Sequence, residues 1–321
     1  MDNICHTVAG AVLAEAGLRR RTPLALPTLL LGANLPDLDA LAYARGSLFA
    51  LTFRRGWTHG VLALILLPVL LAGVMLAWDR LVRRRRDTPR ADAGALLLLA
   101  TIAVLSHPLL DLLNTYGVRL LMPFSNRWFY ADTLFIVDPW LWLLFGGGAA
   151  IAWRRRRQGR SQAAAERPAR IALALALAYV LAMGISTLVG RRIVREAAVA
   201  AGITPVNREM LSPVPANPFR RSVVLETPDG YRVGGFRWLG SPQVAFEPRT
   251  VSSGLGLPAV VTATASAAGS AFLSWSRFPA AVLHQDARGE VVRLYDLRYA
   301  GPEGSSWAAV EIPLNGMNGE R

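Results

Sequence analysis

Two long stretches of this chain contain no charged side chain, and they limit its possible folds more than any other feature. Gly60–Trp78 has 19 residues and Ile171–Gly190 has 20. A helix needs about 20 mostly apolar residues to cross the roughly 30 Å hydrocarbon core of a bilayer. The composition points the same way, because only 18% of the residues are charged, against about 25% in soluble domains. We therefore predict an integral membrane protein.

Further apolar segments raise the predicted number of helices to five or six. Ala93–Leu113 and Thr133–Trp153 are long enough to span a bilayer. Thr22–Ala44 is apolar until the sequence NLPDLD interrupts it, and Ile4–Leu18 has a helical pattern but is short for a span. This first segment is compatible with a half-helix or with a tilted helix buried in protein. The predicted fold class is an α-helical polytopic membrane domain followed by a small β-rich extramembrane domain.

The basic residues predict the orientation of these helices. All 35 are arginine, and the formal net charge is +13. They cluster between apolar segments, so membrane topology explains them better than nucleic-acid binding, which we do not expect. Short cytoplasmic loops are rich in basic residues, which predicts that Arg19–Arg21, Arg83–Arg86 and Arg154–Arg157 lie in the cytoplasm. The loops without such clusters, and everything after Gly190, are then non-cytoplasmic.

After Gly190 the sequence changes to short alternating segments that are typical of strands. The stretch SVVLETPDGYRVGGFRWL predicts two strands around a Pro-Asp-Gly turn. The stretches AFLSWSRFPAAVL and EVVRLYDLRY predict further strands. We therefore predict two domains, a helical membrane domain over residues 1–190 and a β-rich domain over residues 191–321 on the non-cytoplasmic side.

Ionisable side chains in the predicted membrane domain indicate a functional site, because an Asp at membrane depth costs about 2.5–3.5 kcal/mol. His107 and Asp111 are four residues apart, and Asn114 is seven residues from His107, so the three share one helix stripe. Pro108 is expected to kink this helix and free a carbonyl group. The predicted orientation puts the stripe in the half of the span nearest the outside.

Polar side chains from other segments reach the same depth. His59 precedes an apolar span, and Asn34, Asp37 and Asp39 lie in the outer half of another segment. His6 joins them if the first helix runs from outside to inside. Such groups from four segments at one depth predict a metal site.

Imidazole and carboxylate ligands suit Zn²⁺, and also iron or manganese. Cys5 is the single cysteine, so no Cys-based zinc site is expected. A His/Asp site of this kind activates water and polarises phosphoryl or carbonyl oxygens. We predict a divalent metal, Zn²⁺ first, as one or two ions. The candidate metal ligands are His6, His59, His107 and Asp111, with Asp37 or Asp39 as a further ligand.

Four blocks of this sequence resemble the YdjM family of inner-membrane proteins, in the same order and spacing over residues 1–140. They are HTxxG at His6–Gly10, NLPDLD at Asn34–Asp39, RGWTH at Arg55–His59 and SHPLLDLLNTYG at Ser106–Gly117. The resemblance implies a metal-dependent hydrolase of the bacterial inner membrane. It also implies the five predicted metal ligands, which are the matched positions His6, Asp37, His59, His107 and Asp111. The family name also carries LexA binding, which we do not expect because the polar site faces outward and no cytoplasmic reader domain is evident.

Three functions remain open from the sequence. The first is a hydrolase of an ester or phosphoester, with a lipid or lipid-linked substrate at the outer leaflet and Asp37 or Asp39 as ligand or general base. Asn34, Asn114 and Arg55 would orient that substrate. The second is a transporter or channel, which is disfavoured because the polar residues stop in the outer half of the spans. The third is a non-catalytic scaffold with a structural metal and a partner-binding β domain.

Overall fold

The structure is a computed structural model that describes residues 1–83, 88–241, 243–286, 289–300 and 307–314. Arg84–Arg86, part of one predicted cytoplasmic loop, lie outside the described residues. The chain divides into two compact units. The first unit comprises Met1–Ala40, Arg54–Leu188 and Ser212–Pro218, and the second comprises Leu41–Phe53, Val189–Leu211 and Phe219–Arg321.

The described residues contain nine α-helices and two 3-10 helices. In chain order the α-helices are α1 (Asn3–Glu15), α2 (Ala25–Asn34), α3 (Ser47–Phe53), α4 (Val61–Leu81), α5 (Ala93–Leu112), α6 (Pro139–Arg157), α7 (Gln162–Ala200), α8 (Pro258–Ala265) and α9 (Ala267–Trp275). The 3-10 helices are Leu18–Arg20 and Leu35–Arg45.

Three of these helices, α4, α5 and α7, are long and apolar enough to cross a membrane, judged by length and composition. They contain most or all of three predicted spans, Gly60–Trp78, Ala93–Leu113 and Ile171–Gly190. With 39 residues, α7 rises about 58 Å, which is far more than the roughly 30 Å hydrocarbon core. The predicted domain boundary after residue 190 therefore falls inside a continuous helix.

The other two long apolar segments fold differently from a simple span. Thr22–Ala44 is not one α-helix, because α2 ends at Asn34 and a 3-10 helix follows, with Pro36 near its start. Thr133–Trp153 becomes helical only at Pro139, where Asp138 accepts hydrogen bonds from two backbone N–H groups of the first turn. An N-cap of this kind marks where a helix begins. The predicted total of five or six membrane helices stays a prediction.

Close packing of α2 against α5 holds the centre of the first unit together. A Cβ atom on Gly32 would lie 2.7 Å from the Cβ of Ala103, so glycine is what allows the two backbones to approach this closely. The helix α1 packs against α2 and α6, and α4 packs against α5. Leu66 and Leu70 of α4 stay 64% and 59% exposed, as expected of side chains that face lipid.

The second unit contains most of the antiparallel sheet and the three short α-helices α3, α8 and α9. Its strands belong to a four-stranded sheet of order β1-β2-β3-β4 and a three-stranded sheet of order β5-β6-β7. The strands β2 and β3 are antiparallel, and Thr227 pairs with Gly230 across the predicted Pro-Asp-Gly turn. The strands are β1 (Arg208–Val214), β2 (Asn217–Thr227), β3 (Gly230–Arg237), β4 (Val244–Val251), β5 (Pro279–Asp286), β6 (Gly289–Asp296) and β7 (Ala309–Pro313).

A buried carboxylate at the end of β6 organises the second unit. Asp296 pairs with the buried guanidinium of Arg298 at 3.0 Å. It also accepts hydrogen bonds from the Ser276 hydroxyl at 2.6 Å and the Arg277 backbone N–H at 2.7 Å. Burial alone would raise the pKa of Asp296, but the charge and hydrogen bonds of Arg298 hold that pKa below its usual range. The folded state therefore favours the ionised carboxylate.

We expect Asp296→Asn to lower the free energy of unfolding of this unit by about 3–5 kcal/mol, because it leaves a buried guanidinium unpaired. Denaturant unfolding of the full chain, followed by tryptophan fluorescence, measures the change. Asp229→Asn, in the exposed β2–β3 turn, is the matched control and should change little. The stabilisation by Asp296 should be present above the pKa of an unfolded Asp, near 4, and be lost as the pH falls through the lower folded pKa.

Candidate metal centre

Four separate segments of the first unit bring imidazole and carboxylate groups to one point. His6 lies on α1 and Asp37 in the second 3-10 helix. His59 lies in the turn just before α4, and His107 and Asp111 lie one turn apart near the end of α5. The three histidines and Asp111 are fully buried, and Asp37 is 7% exposed. The structure thus places all five predicted metal ligands in one buried cluster.

Asp111 is at the centre of this cluster. Its Oδ1 lies 3.4 Å from His6 Nε2, and its Oδ2 lies 3.2 Å from His59 Nε2 and 3.4 Å from His107 Nε2. His107 Nε2 also lies 3.7 Å from Asp37 Oδ1. Ligands held about 2.1 Å from a tetrahedral zinc ion are about 3.4 Å apart. The observed spacing of nitrogen and oxygen atoms is therefore the spacing of groups that share one ion.

The donor atoms are buried without conventional hydrogen bonds, which is the test of whether these residues fit a metal. Buried polar atoms are almost always hydrogen-bonded, and an exception needs an explanation. Within the described part of the chain, five such atoms without a hydrogen-bond partner point into one cluster. They are His6 Nε2, Asp37 Oδ1, His59 Nε2, His107 Nε2 and Asp111 Oδ2. These atoms form two groups of three, each close enough to hold a divalent cation, so the residues fit a metal ion.

The Nδ1 atoms of two histidines are engaged outside the cluster. His107 Nδ1 lies 2.6 Å from the carbonyl oxygen of Ala33, near the end of α2. Since a carbonyl only accepts, that nitrogen carries a proton, and in the neutral ring Nε2 presents its lone pair. Metal-bound histidines characteristically donate their other N–H in this way.

His59 is oriented by a short relay of side chains. The Thr58 hydroxyl donates to Asp39 Oδ2 at 3.1 Å and lies 3.0 Å from His59 Nδ1. Because the Thr58 hydroxyl donates its proton to Asp39, Thr58 accepts a hydrogen bond from His59 Nδ1–H. The Nε2 atom of His59 then keeps a lone pair that can bind a metal. Burial lowers the pKa of His59 below its usual value, which favours the neutral ring that a metal requires.

Two groups of possible ligands share one histidine, which bears on the number of ions. His6, His107 and Asp111 form one group, and Asp37, His59 and His107 form the other. The Nδ1 of His107 is committed to Ala33, so this ring offers one nitrogen only. One nitrogen cannot serve two ions at once, and the geometry therefore suits a single ion better than two.

Arg55, one of the predicted substrate-orienting residues, is 4% exposed and lies behind Asp111. Its Nη2 lies 3.1 Å from Asp111 Oδ1, and its Nη1 donates to Asn114 Oδ1 at 3.3 Å. Asn114 also accepts from the Tyr116 backbone N–H at 2.8 Å. The amino nitrogen of Met1 contacts Asp111 as well. The contacts of Arg55 and Asn114 fix the position of a ligand.

Asp39 and Asn34 do not join the donor atoms. Asp39 Oδ2 accepts from the Arg55 backbone N–H at 2.7 Å and from Thr58. It lies 3.5 Å from His59 Nδ1, the ring nitrogen that does not face the cluster. Asn34 donates to Thr7 Oγ1 at 3.1 Å and to the Leu30 carbonyl at 2.9 Å. The contact of Asn34 with Thr7 connects α2 to α1, and Asn34 does not line the cluster.

Sequence reasoning did not single out Arg54 and Thr58. Arg54 lies 3.6 Å from Asp37 and 3.3 Å from Asp39 and is 22% exposed. Both residues belong to or adjoin the block RGWTH that contains His59, so their proximity to a candidate ligand was the available signal. The carbonyl of Ala33 could not be found in this way, because every residue has one.

A family model described as "YdjM inner membrane protein" matches residues 1–190, which is more than half of the chain. The chain belongs to the YdjM family. The match contains all five clustered residues and the three helices that could cross a membrane, apart from the end of α7. The clustered His and Asp residues of this chain therefore lie in the part that the family model describes.

The chain is also similar to a protein of Bacillus subtilis (strain 168) named "Uncharacterized protein YfhP". The two are 24% identical over 153 residues, which is 44% of this chain and 43% of that relative. The chain thus aligns with less than half of the relative's length. No solved structure gives a significant match.

We expect His107→Ala to abolish bound metal, because His107 belongs to both possible ligand groups. Elemental analysis of the purified full chain measures metal per chain. His284→Ala is the matched control, since His284 lies on β5 and its side chain is 37% exposed. Full metal content in His107→Ala would contradict the assignment of this ligand.

Proposed function

We propose that this YdjM protein is a membrane-bound, metal-dependent hydrolase that cleaves an ester or phosphoester of a lipid or lipid-linked substrate. The observation that carries the proposal is the set of five buried donor atoms, from His6, Asp37, His59, His107 and Asp111, that lack hydrogen-bond partners in the described residues. Three imidazoles and two carboxylates without a thiolate are a donor set of catalytic zinc, and also of iron or manganese. We propose Zn²⁺.

A bound divalent ion would supply a Lewis acid that activates water and polarises a phosphoryl or carbonyl oxygen. The residues of the chain supply the setting for this chemistry. His6, His59 and His107 donate neutral nitrogen atoms, and Asp37 and Asp111 bring negative charge. Arg55 offsets part of that charge at Asp111 Oδ1. The Ala33 carbonyl orients the ring of His107, and Thr58 together with Asp39 orients the ring of His59.

Substrate would approach from the side of Asp37, the ligand with the most exposure. Arg54 is partly exposed and lies 3.6 Å from Asp37 Oδ1, which suits it to hold an anionic phosphate or carboxylate. Leu38 and Leu109, near Asp37 and Asp111 in the sequence, are 54% and 63% exposed. A charged group beside apolar surface favours an amphiphilic substrate over a water-soluble one.

The arginine-rich loops support a location at the outer leaflet. Basic loops are retained in the cytoplasm, and α6 ends in four arginines, Arg154 to Arg157. His107 and Asp111 lie near the C-terminal end of α5, and Asp92, which caps the opposite end, follows the arginine-rich loop. This arrangement supports a non-cytoplasmic metal centre and a non-cytoplasmic β-rich region.

A lipid-turnover comparison tests the proposal. We expect the purified, metal-loaded full chain to consume a component of a bacterial inner-membrane lipid extract presented as vesicles. Asp37→Asn should slow this turnover by about 100-fold or more, because the metal contributes several kcal/mol to the transition state. Mass spectrometry of the lipids before and after incubation measures it, with Asp229→Asn as the matched control. Identical lipid profiles for wild type and Asp37→Asn would instead favour a scaffold with a structural metal.

We expect Thr58→Val to weaken Zn²⁺ binding by about 10–100-fold, the usual effect of losing a group that orients a ligand. The change keeps the side-chain volume but removes the hydroxyl that links His59 to Asp39. Competition with a calibrated chelator measures the affinity. Thr101→Val on α5 is the control, since that hydroxyl bonds the Leu97 carbonyl, at 2.8 Å. Equal affinities of the two variants would show that the relay does not orient His59.

A further inference from the structure

A long apolar groove lies between α6 and α7, separate from the metal centre. Its volume is about 500 Å³. On α6 its lining repeats every three or four residues from Leu143 to Arg155, so one stripe of the helix faces it. On α7 it is lined from Arg167 to Leu175. The floor of the groove is apolar. Arg155 and Arg167 lie at the end of the groove where α6 ends and α7 begins.

The dimensions of the groove suit a lipid chain. Leu143 and Arg155 are twelve positions apart in the sequence, which is about 18 Å along a helix. One leaflet of hydrocarbon is about 15 Å thick, half of the roughly 30 Å core. Ile151, Ile171 and Leu175 on its walls remain 49%, 47% and 52% exposed. An acyl chain that lies along the groove would cover them.

Two adjacent glycines shape the groove. A Cβ on Gly148 would lie 2.3 Å from the Cβ of Ala172, so this glycine lets α6 and α7 touch and form the floor. A Cβ on Gly147 would meet nothing within 4 Å. The space above Gly147 is therefore open, and a larger side chain there would fill the groove without disturbing the contact of the helices.

The arginine end has positive charge to offer. Arg155 and Arg167 line the groove, and neither has an ion pair in the described residues. Arg155 Nη1 donates to the Ala164 carbonyl at 3.2 Å, which holds the side chain over the start of α7. The nearby carboxylate, Glu166, is already paired with Arg20 and Arg170. The charge at the groove is therefore available to an anion.

We propose that this groove binds one acidic phospholipid from the surrounding bilayer. Its phosphate contacts Arg155 and Arg167, and one acyl chain lies along the groove past Gly147. Charge favours this occupant over a zwitterionic lipid, since the two arginines attract net negative charge. A second copy of the chain would bring its own four consecutive arginines at the end of α6 against this end and would be repelled.

Native mass spectrometry of the purified full chain in detergent tests the headgroup. Wild type should retain one phosphatidylglycerol more tightly than phosphatidylcholine, and Arg155→Gln/Arg167→Gln should weaken phosphatidylglycerol about 30-fold, roughly 5-fold for each arginine. Arg154→Gln/Arg157→Gln is the matched control, because neither residue lines the groove. Excess glycerol phosphate should not displace the lipid. Equal retention of both lipids, or displacement by glycerol phosphate, would overturn the proposal.

Gly147→Leu tests the groove itself. It should reduce phosphatidylglycerol retention at least about 10-fold, since a leucine side chain occupies the space of the acyl chain. Gly73→Leu on α4 is the control, because a Cβ there also meets nothing within 4 Å. Both variants should elute as single species and keep the metal content of wild type, which shows that they are folded. Equal loss in the two variants, or a wild-type dimer that Gly147→Leu dissociates, would overturn the proposal.

Discussion

The rest of the helical unit depends on the convergence of imidazole nitrogens on the carboxylate of Asp111. Burying polar atoms without partners costs several kcal/mol when no water is present to bond them. The fold nevertheless buries these atoms, which come from α1, α5, a 3-10 helix and the turn before α4. A divalent ion would remove the cost for the atoms that bind it, and the proposed metal would therefore also hold these chain segments together.

The packing around the centre follows from the need to orient its ligands. Gly32 lets α2 approach α5, and this approach brings the Ala33 carbonyl onto His107. Arg55 adopts a positive φ of 51°, an uncommon conformation for a non-glycine residue. Its backbone N–H reaches Asp39 while its side chain reaches Asp111. Backbone strain at this position is thus compensated by contacts on both sides of the metal centre.

The spans and the convergence of the site could be predicted because they depend on periodicity and composition. The spacing of His107 and Asp111 is a helix turn, and the structure has that helix. The division of labour between Asp37 and Asp39 could not be predicted. Residues two apart are rotated by about 240° on a 3-10 helix and about 200° on an α-helix, so the two carboxylates point to different faces in either case. Which of those faces meets the histidines depends on long-range packing.

The same limit explains the neighbouring arginines and the late start of α6. Arg54 and Arg55 are adjacent in the sequence, yet Arg55 is buried behind Asp111 and Arg54 is partly exposed beside Asp37. The left-handed backbone conformation of Arg55 turns the two side chains in different directions, and nothing in the composition indicates that conformation. Likewise, Leu134 forms a parallel bridge with Asn114, a long-range contact that keeps residues before Pro139 out of the helix.

The packing of the three imidazoles limits how many of them can carry a charge at once. The rings of His6 and His107 are stacked with their centroids 3.6 Å apart, and His59 lies 5.0 Å from His107. Protonating both His6 and His107 would place like charges in van der Waals contact in a site of low dielectric, where repulsion is strong. Neutral rings avoid that repulsion but leave their Nε2 atoms without donors. One cation bound by neutral rings would meet both requirements, so the stacking of His6 on His107 is compatible with the proposed metal and excludes a cluster in which both rings are protonated.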